Sequence, residues 1–261
     1  MADLPLGEVQ VRPRTLDQDE AFRRGEASPV LGEEVRLHGT DYPSLGTVHA
    51  PVGGRLALFA HLWGHITNDP FILSVVAQGF KITLNQGFPG VLRQVTNTPR
   101  DPVAQATIWT EISSLLGKKA IVQVDDFPSL CLSPIFVIPK RSGGLRVILN
   151  LKKINLYIPP QPFRMENLPV ILPQLTADDW AVTIDLQDAY LHVPIHPESH
   201  RLLGFQYLNQ TFLYQVLPFG LKDSPWVFTK IVATLISFFR RRGLRVFLFC
   251  YLDIWLLVAP S

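Results

Sequence analysis

In each of two segments of this chain, an aspartate lies within, or at the end of, an apolar run. The segments are Val182–Tyr190, with Asp185, and Phe249–Leu257, with Asp253. An unpaired carboxylate in apolar surroundings is strongly disfavoured, so the repeated pattern indicates that the two carboxylates share one cation. Such a pair around a divalent ion is typical of metal-dependent nucleotidyl transfer. Taken alone, either aspartate is better explained as a turn or cap residue.

A basic stretch is the second chemical feature, in a chain whose net charge is only +2. Residues 118–164 contain two acidic side chains, Asp125 and Asp126, and therefore carry a local net charge of +6. This charge suits a phosphate-bearing partner, although on charge alone a solvated charged face is the better explanation. The eight basic residues are Lys118, Lys119, Lys140, Arg141, Arg146, Lys152, Lys153 and Arg164.

Length and composition limit the class of protein. The chain has 261 residues, of which 47% are hydrophobic, enough for one large domain or two small ones with a packed core. Cys131 and Cys250 are predicted to be buried free thiols of a reducing, intracellular compartment, the cytoplasm or the nucleus. No signal peptide is evident. The apolar window Val246–Ala259 is too short to span a bilayer, so no membrane partner is expected.

Local patterns predict the elements that must position these side chains. Asp101 and Pro102 at one end and Gly117 at the other predict a helix between them. Gly143 and Gly144, between two β-rich runs, predict a tight hairpin. A second long helix is predicted from a Ser224 cap to about Arg242. The predicted strands are 135–139 with 145–149, 181–185, 202–207 with 211–216, and 246–251 with 255–259.

Three groups of residues resemble successive motifs of reverse transcriptases in order and in spacing. The groups are Asp185 with Asp188–Tyr190, Leu217–Leu221, and Tyr251–Asp253. The most similar elements are retrotransposons of the DIRS-like, tyrosine-recombinase class, whose region before the polymerase is similar to Gly54–Pro70. The likeness covers residues 50–261 and is most specific over 134–261.

The resemblance implies an α+β fold, the right-hand polymerase, with fingers and palm subdomains and an antiparallel palm sheet packed on helices. Three regions are expected: a flexible N-terminal tail at 1–45, a lead-in region at 46–128 with one helix near 102–117, and the fingers and palm at 129–261. Because the sequence ends soon after the third catalytic motif, the thumb is expected to be missing and the chain to be a partial copy.

The resemblance also assigns roles at a metal site. Asp185 and Asp253 would be the catalytic carboxylates. Together with the backbone carbonyl of Leu186 they would hold Mg²⁺ or Mn²⁺, which hard oxygen ligands suit.

Further residues are implied to bind a deoxynucleoside triphosphate. Lys140 and Arg146 match cations of the fingers hairpin that grip the triphosphate, with Arg141 able to exchange roles with Lys140. Tyr190 matches the aromatic residue that crowds the 2′ position of the sugar, although its residue type alone fits an ordinary core position equally well. The full implied set is Lys140, Arg146, Asp188, Ala189, Tyr190 and Phe219.

One position departs from the family pattern. The third motif is Tyr-x-Asp-Asp, and Ile254 stands in place of the second aspartate. Isoleucine offers no lone pair to a metal. The sequence therefore predicts an RNA-directed DNA polymerase domain fragment of a retrotransposon with impaired activity. Its partners would be an RNA or DNA template-primer and deoxynucleoside triphosphates. A catalytically inactive nucleic-acid-binding remnant is the alternative.

Overall fold

The computed structural model describes residues 50–94, 96–140, 143–163, 173, 175–176, 178–242, 247–251 and 253–259. The predicted tail at 1–45 lies outside this part. Its helices are a 3-10 helix Arg55–Phe59, α1 (Ala60–Trp63), α2 (Pro70–Gln78), α3 (Pro102–Gly117), α4 (Lys152–Asn155), a 3-10 helix Ala189–His192, α5 (Pro197–His200) and α6 (Ser224–Arg241). Its strands are β1 (Ile121–Val124), β2 (Ile135–Pro139), β3 (Leu145–Leu149), β4 (Trp180–Asp185), β5 (Gly204–Tyr207), β6 (Gln210–Tyr214), β7 (Phe247–Tyr251) and β8 (Ile254–Ala259).

The chain divides into two compact units. The larger comprises Ala50–Phe163 and Asp188–Thr234, and the smaller includes Arg164–Gln187 and Leu235–Ser261. Among the described residues, no helix combines the length and the apolar character needed to cross a bilayer.

Helix α3 of the larger unit forms where its capping signals predict it. The carboxylate of Asp101 accepts hydrogen bonds from the amides of Val103 and Ala104, and Pro102 occupies the first turn. Ile108 and Ile112, one turn apart, are 0% and 1% exposed, so they anchor the buried face of the helix. Helix α2 begins with the same Asp-Pro signal, at Asp69. This second helix is absent from the sequence prediction for residues 46–128.

Two antiparallel sheets complete the larger unit. Strands β2 and β3 pair from Ile135 with Leu149 to Pro139 with Leu145, in the predicted hairpin. Gly143 and Gly144 both adopt positive φ angles, 89° and 78°, as the glycine pair predicts. The other sheet has the order β1-β6-β5. Strand β1 is missing from the sequence prediction, because its partner β6 is distant along the chain.

The segment before α3 is built into the larger unit. The amide of Phe80 donates to the carbonyl of Pro194 at 2.8 Å, and the amide of His196 donates back to Phe80 at 3.0 Å. Further along, Arg93 pairs with Leu132 in an isolated parallel bridge. Backbone hydrogen bonds therefore fix this segment at several points of the unit.

Helix α6 starts differently from the prediction. Its first backbone hydrogen bond, from the amide of Val227, is accepted by the carbonyl of Asp223 at 2.9 Å. The hydroxyl of Ser224 donates to the carbonyl of Pro218 at 2.8 Å. Ser224 is therefore not the cap, because its hydroxyl is used to hold the preceding loop.

The smaller unit is organised around a three-stranded antiparallel sheet of order β4-β8-β7. Strands β4 and β8 pair over six residues, from Trp180 with Ala259 to Asp185 with Ile254. Strands β7 and β8 form a hairpin that closes at Tyr251 and Ile254. Both aspartate-bearing segments therefore belong to one sheet.

Candidate active site

Asp185 and Asp253 lie at the same end of this sheet, one at the end of a strand and the other in the adjoining turn. Asp185 is the last residue of β4, and Asp253 lies in the turn that leads into β8. The amide of Leu186 donates to the carbonyl of Asp253 at 2.9 Å, which joins the two segments beyond the last strand pair. Asp185 is exposed, and Asp253 and Leu186 are half-buried. Asp185 and Asp253, which are 68 positions apart in the sequence, thus belong to neighbouring backbone segments of one sheet.

Ile254 lies directly opposite Asp185 in the register. The Leu186–Asp253 hydrogen bond flanks this pair, which makes it a non-hydrogen-bonded antiparallel pair, the type with Cα atoms about 4.5 Å apart. Directly opposed residues project from the same face of a sheet, so Ile254 shares the face of Asp185. Its side chain is 47% exposed, although isoleucine gains by burial. An exposed apolar side chain thus occupies the position where the family pattern has a carboxylate.

Carboxylate and carbonyl oxygens, the groups expected to be the ligands here, suit a hard divalent cation. Mg²⁺ is commonly held by one or two carboxylates and completes its shell with water and phosphate oxygens. Asp185 and Asp253 are the carboxylates at this end of the sheet, and Leu186, which follows Asp185 directly, is joined to Asp253 through its amide. Within the described part of the chain, no group of three or more Asp, Glu, His or Cys side chains is placed to hold a metal. With Ile254 in place, the site is therefore poorer in oxygen than the family pattern.

The β2–β3 hairpin of the larger unit brings Lys140 and Arg146 to one face. Arg146 pairs directly with Ile138, and the amide of Lys140 donates to the carbonyl of Gly144 at 3.0 Å, which extends the pairing beyond the strands. By alternation, Ile138, Lys140 and Arg146 share a face. Both cations are exposed, and Ile138 is 38% exposed. This face of the hairpin is open to a ligand, whereas the opposite face carries the buried residues of the strands.

Asp188 begins the short helix Ala189–His192 in a left-handed conformation, with φ 57° and ψ 28°. Its carbonyl accepts the amide of Leu191 at 2.8 Å, and its carboxylate accepts a hydrogen bond from Lys118 at 2.8 Å. Left-handed backbone is uncommon outside glycine, although aspartate tolerates it better than most residues. Ala189 is buried, 5% exposed. A backbone hydrogen bond and a side-chain ion pair of Asp188 therefore both stabilise this turn.

An aromatic cluster covers Tyr190. Its ring lies 4.9 Å from that of Phe219 and 5.4 Å from that of Phe228, between centroids. Tyr190 is 7% exposed and Phe219 is 60% exposed. Gly220, with φ 93°, permits the turn that presents Phe219 at the surface. A ligand on this surface therefore meets Phe219 before Tyr190.

Comparison with known proteins relates part of the chain to one family. Residues 138–261 match the family model described as "Reverse transcriptase (RNA-dependent DNA polymerase)". This part of the chain is therefore similar to reverse transcriptase domains. The matched stretch contains Lys140, Arg146 and both aspartates of the smaller sheet. The segment before residue 138 lies outside the match.

Related reverse transcriptases occur in polyproteins of retroviruses and of a retrotransposon. The chain is 30% identical over 139 residues to the Pro-Pol polyprotein of Simian foamy virus type 3 (strain LK3), covering 53% of this chain and 12% of the polyprotein. It is 23% identical over 167 residues to the Transposon Tf2-3 polyprotein of Schizosaccharomyces pombe, covering 64% and 12%. The chain thus spans a small part of these relatives.

Solved reverse transcriptases support the fold. The native crystal structure of Prototype Foamy Virus Protease-Reverse Transcriptase matches with a TM-score of 0.56 and 23% identity, over 69% of this chain and 23% of that one. A foamy viral protease-reverse transcriptase in complex with dsDNA matches with a TM-score of 0.57 and 22% identity, over 70% and 36%. The predicted α+β polymerase fold is thereby confirmed.

Within each unit of the chain, the predicted residues fall into sets. In the smaller unit, Asp185, Leu186 and Asp253 lie at one end of the sheet. In the larger unit, the hairpin cations share one face and Tyr190 packs on Phe219.

Sequence reasoning missed Asn155, whose side chain donates to the carbonyl of Gly220 at 2.8 Å and accepts from the amide of Lys222 at 2.9 Å. These two bonds brace the turn that carries Phe219. Because the partners lie more than 60 residues away, no local pattern signals this role.

Proposed function

We propose that this chain is the fingers and palm portion, residues 129–261 with the preceding lead-in, of an RNA-directed DNA polymerase. The reaction would extend a primer by deoxynucleotides, with an RNA or DNA strand as template. Asp185 and Asp253 would be the catalytic carboxylates. The supporting observation is the smaller sheet, where Asp185 ends β4 and Asp253 lies in the adjoining turn, joined to Leu186 by a backbone hydrogen bond. We further propose a DIRS-like retrotransposon as the source, from the motif order and the Gly54–Pro70 segment.

The metal site of this proposal consists of Asp185, Asp253 and the carbonyl of Leu186. A divalent ion bound there supplies Lewis-acid stabilisation of the charge on phosphate oxygens. Backbone pairing of β4 with β8, and the hydrogen bond between Leu186 and Asp253, would hold these residues near one another, which favours precise positioning. Mg²⁺ or Mn²⁺ is the expected ion.

The nucleotide contacts are proposed from the larger unit. Arg146 and Lys140 would bind phosphate oxygens, because both cations lie on one open face of the hairpin and arginine meets phosphate in a planar fork. The backbone amides of Asp188 and Ala189 would donate to the triphosphate. In this proposal Phe219 borders the sugar, and Tyr190 beneath it limits space for a 2′-hydroxyl.

Ile254 is proposed to impair catalysis. It shares a face with Asp185 and contributes no oxygen, so an ion that needs further protein ligands is held loosely. Misplaced catalytic groups commonly cost about 100-fold in rate. The unmodified chain is therefore expected to extend primers slowly.

A second candidate function is nucleic-acid binding without catalysis. The observation that favours it is the same Ile254, together with the basic stretch between Lys118 and Arg164. Phosphate contacts of this kind would make binding strongly salt-dependent. In either case an intracellular location is expected, in the cytoplasm or nucleus.

Primer extension separates the two functions. The unmodified chain, Ile254→Asp and Asp185→Asn are compared on one template-primer with Mg²⁺ or Mn²⁺. Polymerase ancestry with impairment predicts weak extension that rises in Ile254→Asp and disappears in Asp185→Asn. Robust extension by the unmodified chain contradicts the impairment, and extension that survives Asp185→Asn contradicts the proposed site. Thermal stabilisation by a template-primer alone, unchanged by deoxynucleotide and Mg²⁺, would favour the binding function.

A further inference from the structure

Lys118 and Asp188 form an ion pair inside the larger unit, between residues that are 70 positions apart. The ammonium nitrogen Nζ of Lys118 lies 2.8 Å from Oδ1 of Asp188. Their side chains are 32% and 18% exposed, so the pair is partly shielded from water. Both residues also line a cavity of about 160 Å³ whose other walls are mostly apolar, formed by side chains such as Leu115, Val147 and Leu191. Reduced contact with water strengthens the interaction between the two charges.

The backbone around this pair is fixed by two consecutive glycines. The amide of Gly53 donates to the carbonyl of Lys118 at 2.7 Å, and the amide of Gly54 donates to the carbonyl of Leu191 at 2.9 Å. Leu191 in turn donates to the carbonyl of Asp188 at 2.8 Å. A Cβ at Gly53 would lie 2.2 Å from the carbonyl oxygen of Lys119, so only glycine fits there. Gly53 is thus bonded to Lys118, and Gly54 is linked through Leu191 to Asp188. Both glycines lie before the residues that match the family.

Asp188 presents an electrostatic problem at the proposed nucleotide site. Its backbone amide is proposed to donate to a triphosphate, yet its own side chain carries a negative charge that repels phosphate. A neighbouring cation at hydrogen-bond distance cancels most of this charge in a partly shielded setting. Because Lys118 holds Oδ1, the Asp188 carboxylate is also less free to accept hydrogen bonds from the backbone amides of its own turn. Those amides then stay available to the triphosphate.

We infer that Lys118 is a positioning residue for the triphosphate, which neutralises and anchors the Asp188 carboxylate so that the turn can accept an anion. This inference rests on the proposed nucleotide site. It adds a role for α3 and the Gly53–Gly54 segment, both of which precede the residues that match the family. The ligand class is the triphosphate of a deoxynucleotide.

The test is the dissociation constant of dTTP, measured by isothermal titration calorimetry on the full chain with Mg²⁺. Lys118→Met leaves Asp188 uncompensated and is expected to weaken binding on the order of tenfold, the effect of one unit charge a few ångströms from phosphate in a partly screened site. Lys118→Met with Asp188→Asn removes both charges and is expected to restore the affinity to within about threefold. Lys119→Met removes an exposed charge next to the pair and is expected to have less than about a twofold effect.

Thermal midpoints of all variants are measured without nucleotide, so that a loss of fold is seen separately. If the double variant bound dTTP no more tightly than Lys118→Met, Lys118 would act as a tether or as a direct contact. This result would overturn charge compensation. Equal affinity of Lys118→Met and the unmodified chain would overturn the role of Lys118 and leave the nucleotide site standing. Absence of dTTP binding by the unmodified chain would instead contradict the nucleotide site itself, and the role of Lys118 with it.

Discussion

Ile254→Asp is the perturbation whose outcome the sheet register predicts in most detail. Position 254 directly opposes Asp185 in a close antiparallel pair, where Cβ atoms are about 4.5–5.5 Å apart. Two carboxylates about 5 Å apart repel by about 0.8 kcal/mol in water. Asp185 is exposed, so the value for water is the appropriate one. Without metal, the variant should therefore be less stable than Ile254→Asn by about 1 kcal/mol.

A shared divalent ion should reverse this order. If Ile254→Asp binds the ion tenfold more tightly than Ile254→Asn, a saturating ion stabilises its folded state by about 1.4 kcal/mol more. For a chain of this size, 1 kcal/mol corresponds to a shift in melting temperature of about 2–4 °C. Ile254→Asp should thus melt below Ile254→Asn in EDTA and above it in Mg²⁺ or Mn²⁺.

Melting curves followed by circular dichroism, at matched ionic strength, measure this difference. Ile254→Asn is the matched control because it has the shape of aspartate without the charge. Equal gains from metal in the two variants would refute the reasoning, since they would show that position 254 and Asp185 do not face a common ion.

Three further predictions concern the larger unit. Burial raises the pKa of the Asp223 carboxyl from 3.8 to about 6, so the folded state holds its proton more tightly than the unfolded state and stability falls as the pH rises from about 4 to about 6, by up to about 3 kcal/mol. Asp223→Asn should remove this slope in denaturant titrations, whereas the exposed Asp125→Asn should not, and an unchanged slope would refute the assignment. Gly53→Ala should lower the melting temperature by more than 4 °C because its Cβ meets a backbone carbonyl, while Gly117→Ala, with open space around it, should be neutral or stabilising; equal midpoints would contradict the close approach. Asn155→Ala should cost about 1–3 kcal/mol by leaving two backbone groups of the Gly220 turn unpaired, and proteolysis should then cut near that turn; full protection would argue against the bracing role.

Elements with strong local signals could be predicted from the sequence. The hairpin around Gly143 and Gly144 forms at the predicted residues, because paired glycines fix the turn and the β-rich runs fix the strands. Helix α3 begins where Asp101 and Pro102 predict it. The same Asp-Pro signal stands at Asp69 and is sufficient to predict the start of α2 as well.

Contacts between distant segments could not be predicted in this way. Strand β1 pairs with β6 by a register that neither segment specifies alone. The bond from Asn155 to Gly220 and the pairing of Lys118 with Asp188 depend on how the elements pack, which is set by the whole fold. The neighbourhood of the two aspartates could be predicted despite their separation, because the repeated apolar pattern and the family motifs both link them.

The central claim is that Asp185 and Asp253 jointly hold one divalent ion, and Mn²⁺ binding followed by electron paramagnetic resonance tests it most directly. The unmodified chain, Asp185→Asn, Asp253→Asn and the double variant are titrated with Mn²⁺ under identical conditions. A shared site predicts one saturable ion in the unmodified chain, and a loss in each single variant as large as in the double variant. Independent, additive losses, or binding that persists in either single variant, would contradict the claim.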